Sequence, residues 1–198
     1  MKTEIISISS NGNGRDDALI LTEKTAAFCG LDHTAALRLR LLSEELIEFM
    51  ISFSDDLLGN FWLEVAGTNV EVHLNTSIPM DLQTRKELLS VATSGKNSAA
   101  KGFMGRIREM VSLLMLPDDP ETKTLVDQAM GMMSMGCQMG THSNNYSWAM
   151  SRFVSTVEKE NNQEEKDYLE RSIVANLADD VTVHIVGEDV EMVIYKSF

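Results

Sequence analysis

Residues 61–75 read FWLEVAGTNVEVHLN. Apolar and polar side chains alternate in FWLEVA (61–66) and in VEVHLN (70–75), and the connection GTN (67–69) begins with glycine. Alternation with a period of two is typical of a half-buried strand, and a short connection that contains glycine is typical of a hairpin. This stretch therefore predicts an antiparallel β-hairpin with one face in the protein core.

A second hairpin is predicted near the end of the sequence. VTVHIV (181–186) and VEMVIY (190–195) have the same alternating character, and GED (187–189) connects them. A fifth, shorter strand is predicted for TEIISIS (3–9), which the turn-forming NGNG (11–14) closes. The strands are therefore expected to pair mainly in the antiparallel sense.

Helices are predicted for much of the remaining sequence. The strongest helical period lies in LRLRLLSEELIEFM (37–50), where apolar side chains recur every three or four residues. An earlier helix is predicted at 18–29, with Gly30 at its C-cap, and either Asp32 or Thr34 is expected to cap the helix at 37–50. Between the hairpins, helices are predicted near 82–93, 101–115, 121–136, 147–160 and 165–178.

The order of these elements predicts the fold class. A strand and two helices precede the first hairpin, further helices follow it, and the second hairpin closes the sequence. Five strands in mainly antiparallel pairs, with helices on one face, form a two-layer α+β sandwich. Separated hairpins do not fit a doubly wound parallel sheet. At 198 residues, the chain is expected to fold as one domain.

Composition and charge limit the function classes. With 43% hydrophobic and 24% charged residues, the chain resembles an ordinary soluble globular protein. The net charge of -13 disfavours nucleic acid and anionic membranes as partners, and a protein surface or a small molecule fits better. Cys29 and Cys137 have no paired spacing, and neither a signal peptide nor a membrane span is indicated. A cytoplasmic location is therefore expected.

The helix at 37–50 carries three carboxylates, Glu44, Glu45 and Glu48. Glu44 and Glu48 lie opposite the apolar stripe, whereas Glu45 projects from the edge of the stripe, one turn before Phe49. A carboxylate at that edge can face a cavity beside the helix. The alternative interpretation is a solvated acidic face that nearby arginines support.

Two parts of the sequence resemble a known family. These are AAFCGLDHTAALRLRLLSEELIEFMI (26–51) with GNFWLEVAGTNVEVHLNTSIPMD (59–81), and SIVANLADDVTVHIVGEDVEMVIYK (172–196). Together they resemble the GHKL (histidine-kinase-like) ATPase domain of anti-sigma-factor serine kinases. The middle of the chain does not match. The resemblance thus implies one GHKL-like domain over 1–198, in which a helical insertion at 82–168 replaces the ATP lid.

The resemblance assigns roles to two residues of the helix at 37–50. In the family, this helix carries a glutamate that acts as general base and, four residues later, an asparagine that holds magnesium on the phosphates. These positions fall on Glu45 and Phe49. A phenyl ring cannot coordinate a hard cation that takes oxygen ligands. The resemblance therefore implies that the base is kept and the metal ligand is lost.

The resemblance also assigns two residues to adenine recognition. The family has an aspartate that accepts the adenine amino group and, two residues later, a glycine that admits the base. These positions fall on Asn75 and Ser77. The Asn75 amide oxygen can still accept a hydrogen bond, but the charge is lost. Weakened adenine binding is the expected consequence.

The family's glycine-rich phosphate loop has two placements in this sequence. In the first, the glycines fall on Tyr168 and Glu170, and no phosphate cradle exists. In the second, GFMGR (102–106) is the loop, and Gly102 and Gly105 are kept. The first placement is preferred, because the closing helix then runs into the last hairpin without a gap.

A methionine-rich segment, MGMMSMGCQMGTH (130–142), lies inside the predicted insertion. Methionines clustered on a helix usually fill a core or form an adaptable contact surface. We therefore interpret the segment as a buried helix or a protein contact, which also allows a homodimer. The alternative is a Cu(I) site that uses the soft thioether and thiolate ligands.

These patterns predict a non-catalytic or weakly nucleotide-binding cytoplasmic regulatory protein that acts by protein–protein interaction. No cofactor and no metal site are predicted, although weak binding of ATP or ADP with magnesium is allowed. The alternative is an active ATP-dependent serine kinase of the anti-sigma-factor type, with magnesium held by Glu48, Asn75 or Asp81. A dimeric scaffold without a ligand is the third interpretation.

Overall fold

The computed structural model describes residues 1–53, 57–78, 103–115, 137–139 and 145–198. The chain forms two compact units. The first unit contains Met1–Ser77, Ile173–Thr182 and Glu191–Phe198, and the second contains Ile78–Ser172 and Val183–Val190.

Helices and strands both contribute to the described chain. In sequence order they are β1 (Ile6–Ser9), α1 (Arg15–Phe28), α2 (His33–Ile51), β2 (Leu58–Ala66), β3 (Asn69–Ser77), α3 (Phe103–Leu114), β4 (Cys137–Met139), β5 (Asn145–Ala149), α4 (Met150–Glu160), α5 (Gln163–Glu170), α6 (Ile173–Leu177), β6 (Asp180–Val186) and β7 (Asp189–Ser197). The predicted α+β class with a mainly antiparallel sheet is confirmed.

In the first unit, the strands are hydrogen-bonded in the order β1-β2-β3-β7-β6. β2 and β3 form the hairpin that the alternating sequence predicts, and a two-residue turn at Gly67 and Thr68 joins them. Gly67 has a φ of 66°, a left-handed conformation that glycine adopts without strain. The turn pairs Ala66 with Asn69 and so fixes the register of the hairpin.

The two faces of this hairpin differ in chemistry. Phe61, Leu63, Val72 and Leu74 are buried on the core face. The residues between them point to the opposite face, since side chains alternate along a strand. We call this opposite face the outer face; it carries Trp62 and Glu64 from β2 and Glu71, His73 and Asn75 from β3.

Helices α1 and α2 pack on the core face of the first unit. The apolar stripe of α2 is fully buried, as its period predicts: Leu39, Leu42, Leu46 and Met50 have no exposed surface. A side chain added at Gly59 of β2 would meet Met50 Sδ at 2.5 Å, so glycine permits this close packing. Between the helices, buried Thr22 Oγ1 donates a hydrogen bond to Ser43 Oγ at 3.2 Å.

The cap of α2 is one of the two residues that the sequence suggested. Asp32 Oδ1 accepts a hydrogen bond from Ala35 N at 2.8 Å, whereas Thr34 lies inside the first turn. The carboxylate satisfies a backbone N–H that has no partner within the helix. The choice between Asp32 and Thr34 is thereby decided.

In the second unit, the strand order is β6-β5-β4. Three aromatic rings, Phe103 of α3, Trp148 of β5 and Phe153 of α4, lie with their centroids 6.0–6.3 Å apart. Offset and tilted aromatic contacts of this kind stabilise a core beyond the area they bury. This cluster connects a helix, a strand and the following helix within the unit.

Several sequence predictions for residues 82–178 need correction or cannot be compared. The helix predicted at 147–160 starts only at Met150, because 145–149 form β5. The helix predicted at 165–178 is interrupted between Glu170 and Ile173, and β4 and β5 add two strands to a region predicted to be helical. The helices predicted at 82–93 and 121–136 lie outside the described residues. Among the described helices, none has the length and hydrophobicity that crossing a bilayer requires.

Candidate functional site

Glu45 of α2 lies half-buried in the first unit. Burial raises the pKa of its carboxyl group, and the negative charges of Glu48 and Glu44 raise it further. A carboxyl group with a raised pKa is suited to proton transfer, because its protonated and ionised forms are closer in free energy near neutral pH. The sequence-predicted edge position of Glu45 is thus accompanied by altered acid–base chemistry.

The two carboxylates beside Glu45 have cationic partners. Arg40 contacts Glu44 at 3.2 Å, and Arg15 contacts Glu48 at 2.8 Å. No ion pair to Glu45 occurs among the residues that the structure describes. The interpretation of a solvated, arginine-supported acidic face therefore fits Glu44 and Glu48, but not Glu45.

Phe49 occupies the position at which the family resemblance expects a magnesium ligand. Its side chain is buried, and its ring contacts Phe53 edge to face, with centroids 5.0 Å apart and an interplanar angle of 84°. An aromatic side chain in this position contributes to packing and offers no oxygen to a cation. In the described structure, this position therefore supports the core.

Asn75 and Ser77, the residues assigned to adenine recognition, lie on β3. Asn75 pairs with Asn60 across the hairpin and alternates with the buried Leu74 and Thr76. Its side chain is thus directed to the outer face, whereas α2 packs on the core face. Ser77 ends β3 and is exposed. The structure does not bring these two residues together with Glu45.

The two placements of the glycine-rich loop have different outcomes. Gly105 lies in the first turn of α3, and Gly102 lies outside the described residues. The other placement, at Tyr168 and Glu170, falls on helix α5. At neither place does the described part of the chain show a glycine-rich loop. The methionine-rich segment also lies outside the described residues, except for Cys137–Met139 in β4.

The outer face of the first unit carries a group of side chains that the alternating sequence pattern alone does not predict. Glu64 of β2 and Glu71 of β3 are directly paired across the hairpin, and His73 is two residues beyond Glu71. One ligand atom from each of the three residues lies within 4.8 Å of the others. These are side chains that hold divalent metal ions in proteins.

The sequence contains part of the information that predicts this group, but the pairing of Glu64 with Glu71 depends on the number of residues in the turn. Glu71 and His73 are two apart on a strand, so they share a face whatever the register. A three-residue connection would pair Ala66 with the residue after Asn69 and would place Glu64 opposite an apolar residue. The observed two-residue turn instead places Glu64 opposite Glu71. The pairing register is the information that the sequence alone left open.

Neighbouring groups keep Glu64 ionised. Trp62 Nε1 donates a hydrogen bond to Glu64 Oε1 at 3.0 Å, and this bond lowers the pKa of Glu64. Partial burial opposes the effect, but the Lys2 ammonium, 3.4 Å from the same oxygen, adds to it. Lys2 also lies 4.3 Å above the Trp62 ring. Glu64 is therefore held as a carboxylate beside Glu71 and His73.

Comparisons of the chain with protein-family models, with curated proteins and with solved structures gave no match. Function is therefore inferred from the chemistry of the described side chains. Among them, Glu45 is the predicted site residue whose surroundings change its acid–base properties. Glu64, Glu71 and His73 form a separate group on the outer face of the sheet.

Proposed function

We propose that this protein is a non-catalytic or weakly nucleotide-binding regulatory protein of the cytoplasm, which acts by binding another protein. The main support is that Glu45 lies on the helix of the core face, while Asn75 is directed to the outer face. A nucleotide held by Asn75 would thus lie on the opposite side of the sheet from Glu45, the predicted general base. The predicted catalytic and adenine-binding residues do not form one pocket.

The position of Phe49 supports the same proposal. Phosphoryl transfer depends on a metal ion that neutralises the charge developing on the phosphates. The side chain at the expected ligand position is buried and packs against Phe53. Without a ligand at this point, any nucleotide bound near α2 would be held weakly and would not be turned over.

A protein partner is favoured by the charge and by exposed apolar side chains. The net charge of -13 disfavours nucleic acid and favours a partner surface that is basic or neutral. In α1 and α2, several large apolar side chains remain exposed: Ile20, Phe28, Leu37 and Leu41. Leu37 and Leu41 are four residues apart on α2 and so share one face of the helix. Adjacent exposed apolar side chains of this kind favour contact with another protein.

Calorimetric titration with ATP and with ADP, each with and without magnesium, tests the proposal. We expect no binding tighter than about 100 μM that strengthens with magnesium. The matched variants are Glu45→Gln and Glu44→Gln, because Glu44 is the adjacent carboxylate that pairs with Arg40. ATP hydrolysis that disappears in Glu45→Gln but persists in Glu44→Gln would overturn the proposal.

The contact surface can be tested separately. We expect that wild-type protein retains a specific partner from a cell extract and that Leu37→Glu releases it. Glu23→Lys serves as a surface control, since Glu23 is exposed on α1 and pairs with Arg40. Equal retention by wild type and Leu37→Glu would exclude this part of α2 from the interface.

The second candidate function is an ATP-dependent serine kinase of the anti-sigma-factor type. The raised pKa of Glu45 favours it, because a general base needs a pKa nearer to neutrality than an exposed carboxylate has. In that case, Glu48, Asn75 or Asp81 must replace the missing metal ligand; Asp81 lies outside the described residues. Magnesium-dependent phosphorylation of a serine substrate that requires Glu45 would support this function.

A further inference from the structure

The outer face of the β2–β3 hairpin presents three side chains with the chemistry of a metal site. Glu64 and Glu71 are cross-strand neighbours, and His73 follows Glu71 on the same face. Their ligand atoms lie within 4.8 Å of one another. The rigid hairpin ladder fixes these positions, since the register is set by the turn at Gly67 and Thr68.

His73 adds an observation that the two carboxylates alone would not provide. Its side chain is only 10% exposed, and its Nε2 atom is buried without a hydrogen-bond partner. The same atom lies 3.3 Å from Glu71 Oε2, so it is directed into the acidic pair. A buried ring nitrogen without a partner is costly unless another group satisfies it.

The opposite ring nitrogen of His73 also faces a carboxylate. His73 Nδ1 lies 3.3 Å from Glu191 Oε1 of β7, and a carboxylate only accepts hydrogen bonds. When a cation occupies Nε2, Nδ1 carries the ring proton and donates it to Glu191. Histidine ligands in metal sites are commonly oriented by such a carboxylate.

The surrounding side chains hold the imidazole in place. Trp62 stacks on His73 with the ring centroids 4.7 Å apart and an angle of 11° between the planes. The Lys2 and Trp62 contacts to Glu64 both use Oε1. A carboxylate has a second oxygen, so Glu64 can keep these contacts and still bind a cation.

We propose that Glu64, Glu71 and His73 bind a divalent transition-metal ion of the zinc class, with Glu191 as the positioning residue for His73. One imidazole nitrogen and two carboxylate oxygens suit Zn²⁺, whereas Ca²⁺ and Mg²⁺ prefer oxygen ligands alone. The 3.3 Å between His73 Nε2 and Glu71 Oε2 matches the roughly 3.4 Å between tetrahedral ligands at about 2.1 Å from zinc. Three protein ligands leave the fourth position to water. The inference does not depend on the proposed function.

Metal titration of the full-length protein, after removal of metal by a chelator, tests the site. We expect one equivalent of Zn²⁺ to bind with a Kd below about 100 μM, measured by calorimetry. Co²⁺ should give the visible absorption of a low-coordinate site, and Trp62 fluorescence should change, because Trp62 stacks on His73. Ca²⁺ and Mg²⁺ are expected not to compete.

Four variants distinguish the site from adventitious binding. Glu71→Gln and His73→Gln should each weaken Zn²⁺ binding by at least about 10-fold, and Glu191→Gln by roughly 10- to 100-fold. The matched control is His184→Gln, because His184 is exposed on β6 and lies outside the group. Since His73 is buried, melting curves in chelator show whether its variant folds; the carboxylate of Glu71 is 43% exposed, so Glu71→Gln should fold normally.

The outcomes separate clearly. Loss of binding in Glu71→Gln and His73→Gln, with wild-type affinity in His184→Gln, supports the site. No saturable Zn²⁺ binding by the wild type overturns the proposal. Zn²⁺ binding that is unchanged in Glu71→Gln also overturns the proposal. Competition by Ca²⁺ at a concentration similar to that of Zn²⁺ has the same consequence.

Discussion

The carboxylate of Glu45 lies where the protein disfavours its negative charge. Burial raises its pKa, and the nearby Glu48 and Glu44 raise it further. A glutamine of nearly the same shape would avoid this destabilisation. Residues that reduce stability in this way are frequent at functional sites, which fits both functions considered for this helix. The helical period predicted the edge position, but the pKa depends on packing that spacing does not encode.

Replacing Glu45 with glutamine should stabilise the protein at neutral pH. The folded-state pKa is raised, so the folded protein penalises the ionised form. This penalty is present above the folded pKa and absent below the ordinary value of 4.5. Because the group is partly exposed, we expect a gain of less than about 1 kcal/mol.

Thermal unfolding of the wild type and Glu45→Gln at neutral and acidic pH measures this effect. The difference in Tm should shrink as the pH falls below the ordinary glutamate value. Glu4→Gln is the control, and it should leave the Tm unchanged, because Glu4 is exposed and lies outside the group of carboxylates around Glu45. A Glu45→Gln variant that is less stable at neutral pH would contradict the inferred environment.

Among the helices and strands, local sequence patterns were sufficient to predict the hairpins and α2. Alternation and helical period are properties of neighbouring residues, so they survive without knowledge of the fold. The register of β2 and β3 was not predictable from the same patterns, since it depends on whether two or three residues form the turn. The sequence pattern alone therefore does not predict that Glu64 and Glu71 are neighbours.

Strand β5 shows a second limit of local patterns. Residues 145–149 read NYSWA, and the sequence pattern predicts a helix over 147–160 that includes part of them. The structure places Trp148 in the aromatic cluster with Phe103 and Phe153, and the helix begins at Met150. Contacts with distant residues outweigh weak local propensity in such a short segment.

The side chain of Asp32 caps the N-terminus of α2. Asp32→Ala should destabilise the protein by about 1 kcal/mol, because Ala35 N loses the carboxylate that accepts its hydrogen bond. Chemical denaturation at neutral pH measures the change in the free energy of unfolding.

Thr34→Ala is the control for the cap, since Thr34 was the alternative residue and is exposed in the first turn. Thr34→Ala should change the free energy of unfolding by no more than about 0.5 kcal/mol. Equal destabilisation by both substitutions would show that the cap hydrogen bond is not what stabilises the start of α2.

The first unit is built from three separate parts of the sequence. Residues 1–77 supply β1, β2, β3 and the two long helices, while 173–182 and 191–198 supply α6 and most of the closing strands. The sequence predicted this bracketing, because hairpins near both ends enclose the remaining segments. The sequence could not show whether Glu45 and Asn75, which are predicted nucleotide-site residues, lie close together, because this depends on which face of the sheet each one occupies.

Asp179 should make the stability of the molecule depend on pH. Partial burial alone would raise its pKa, but Lys196 Nζ at 2.7 Å and Ser197 N at 2.6 Å donate hydrogen bonds that outweigh burial and lower the pKa. These contacts join the start of β6 to the end of β7. The folded pKa lies below the ordinary value of 3.8, so the stabilisation is present above that value and is lost as the pH falls through the folded pKa.

Comparing the wild type with Asp179→Asn across pH measures this contribution. The variant should melt at a lower temperature at neutral pH, and the two proteins should converge in acid. Asp180→Asn is the neighbouring comparison, because the Asp180 carboxylate accepts a hydrogen bond from Val181 N of its own strand at 2.8 Å. A constant difference in Tm at all pH values would contradict the role of the Asp179 charge.

The neighbour relation between β3 and β7 has a consequence for synthesis of the protein on the ribosome. β3 ends at Ser77, and the part of β7 in the first unit starts at Glu191. At roughly 5–20 residues per second, the neighbour of β3 is made several seconds after β3 itself. During this interval β3 presents open backbone donors and acceptors, which can pair with other chains. Nascent chains are therefore expected to need chaperone protection until the last strand emerges.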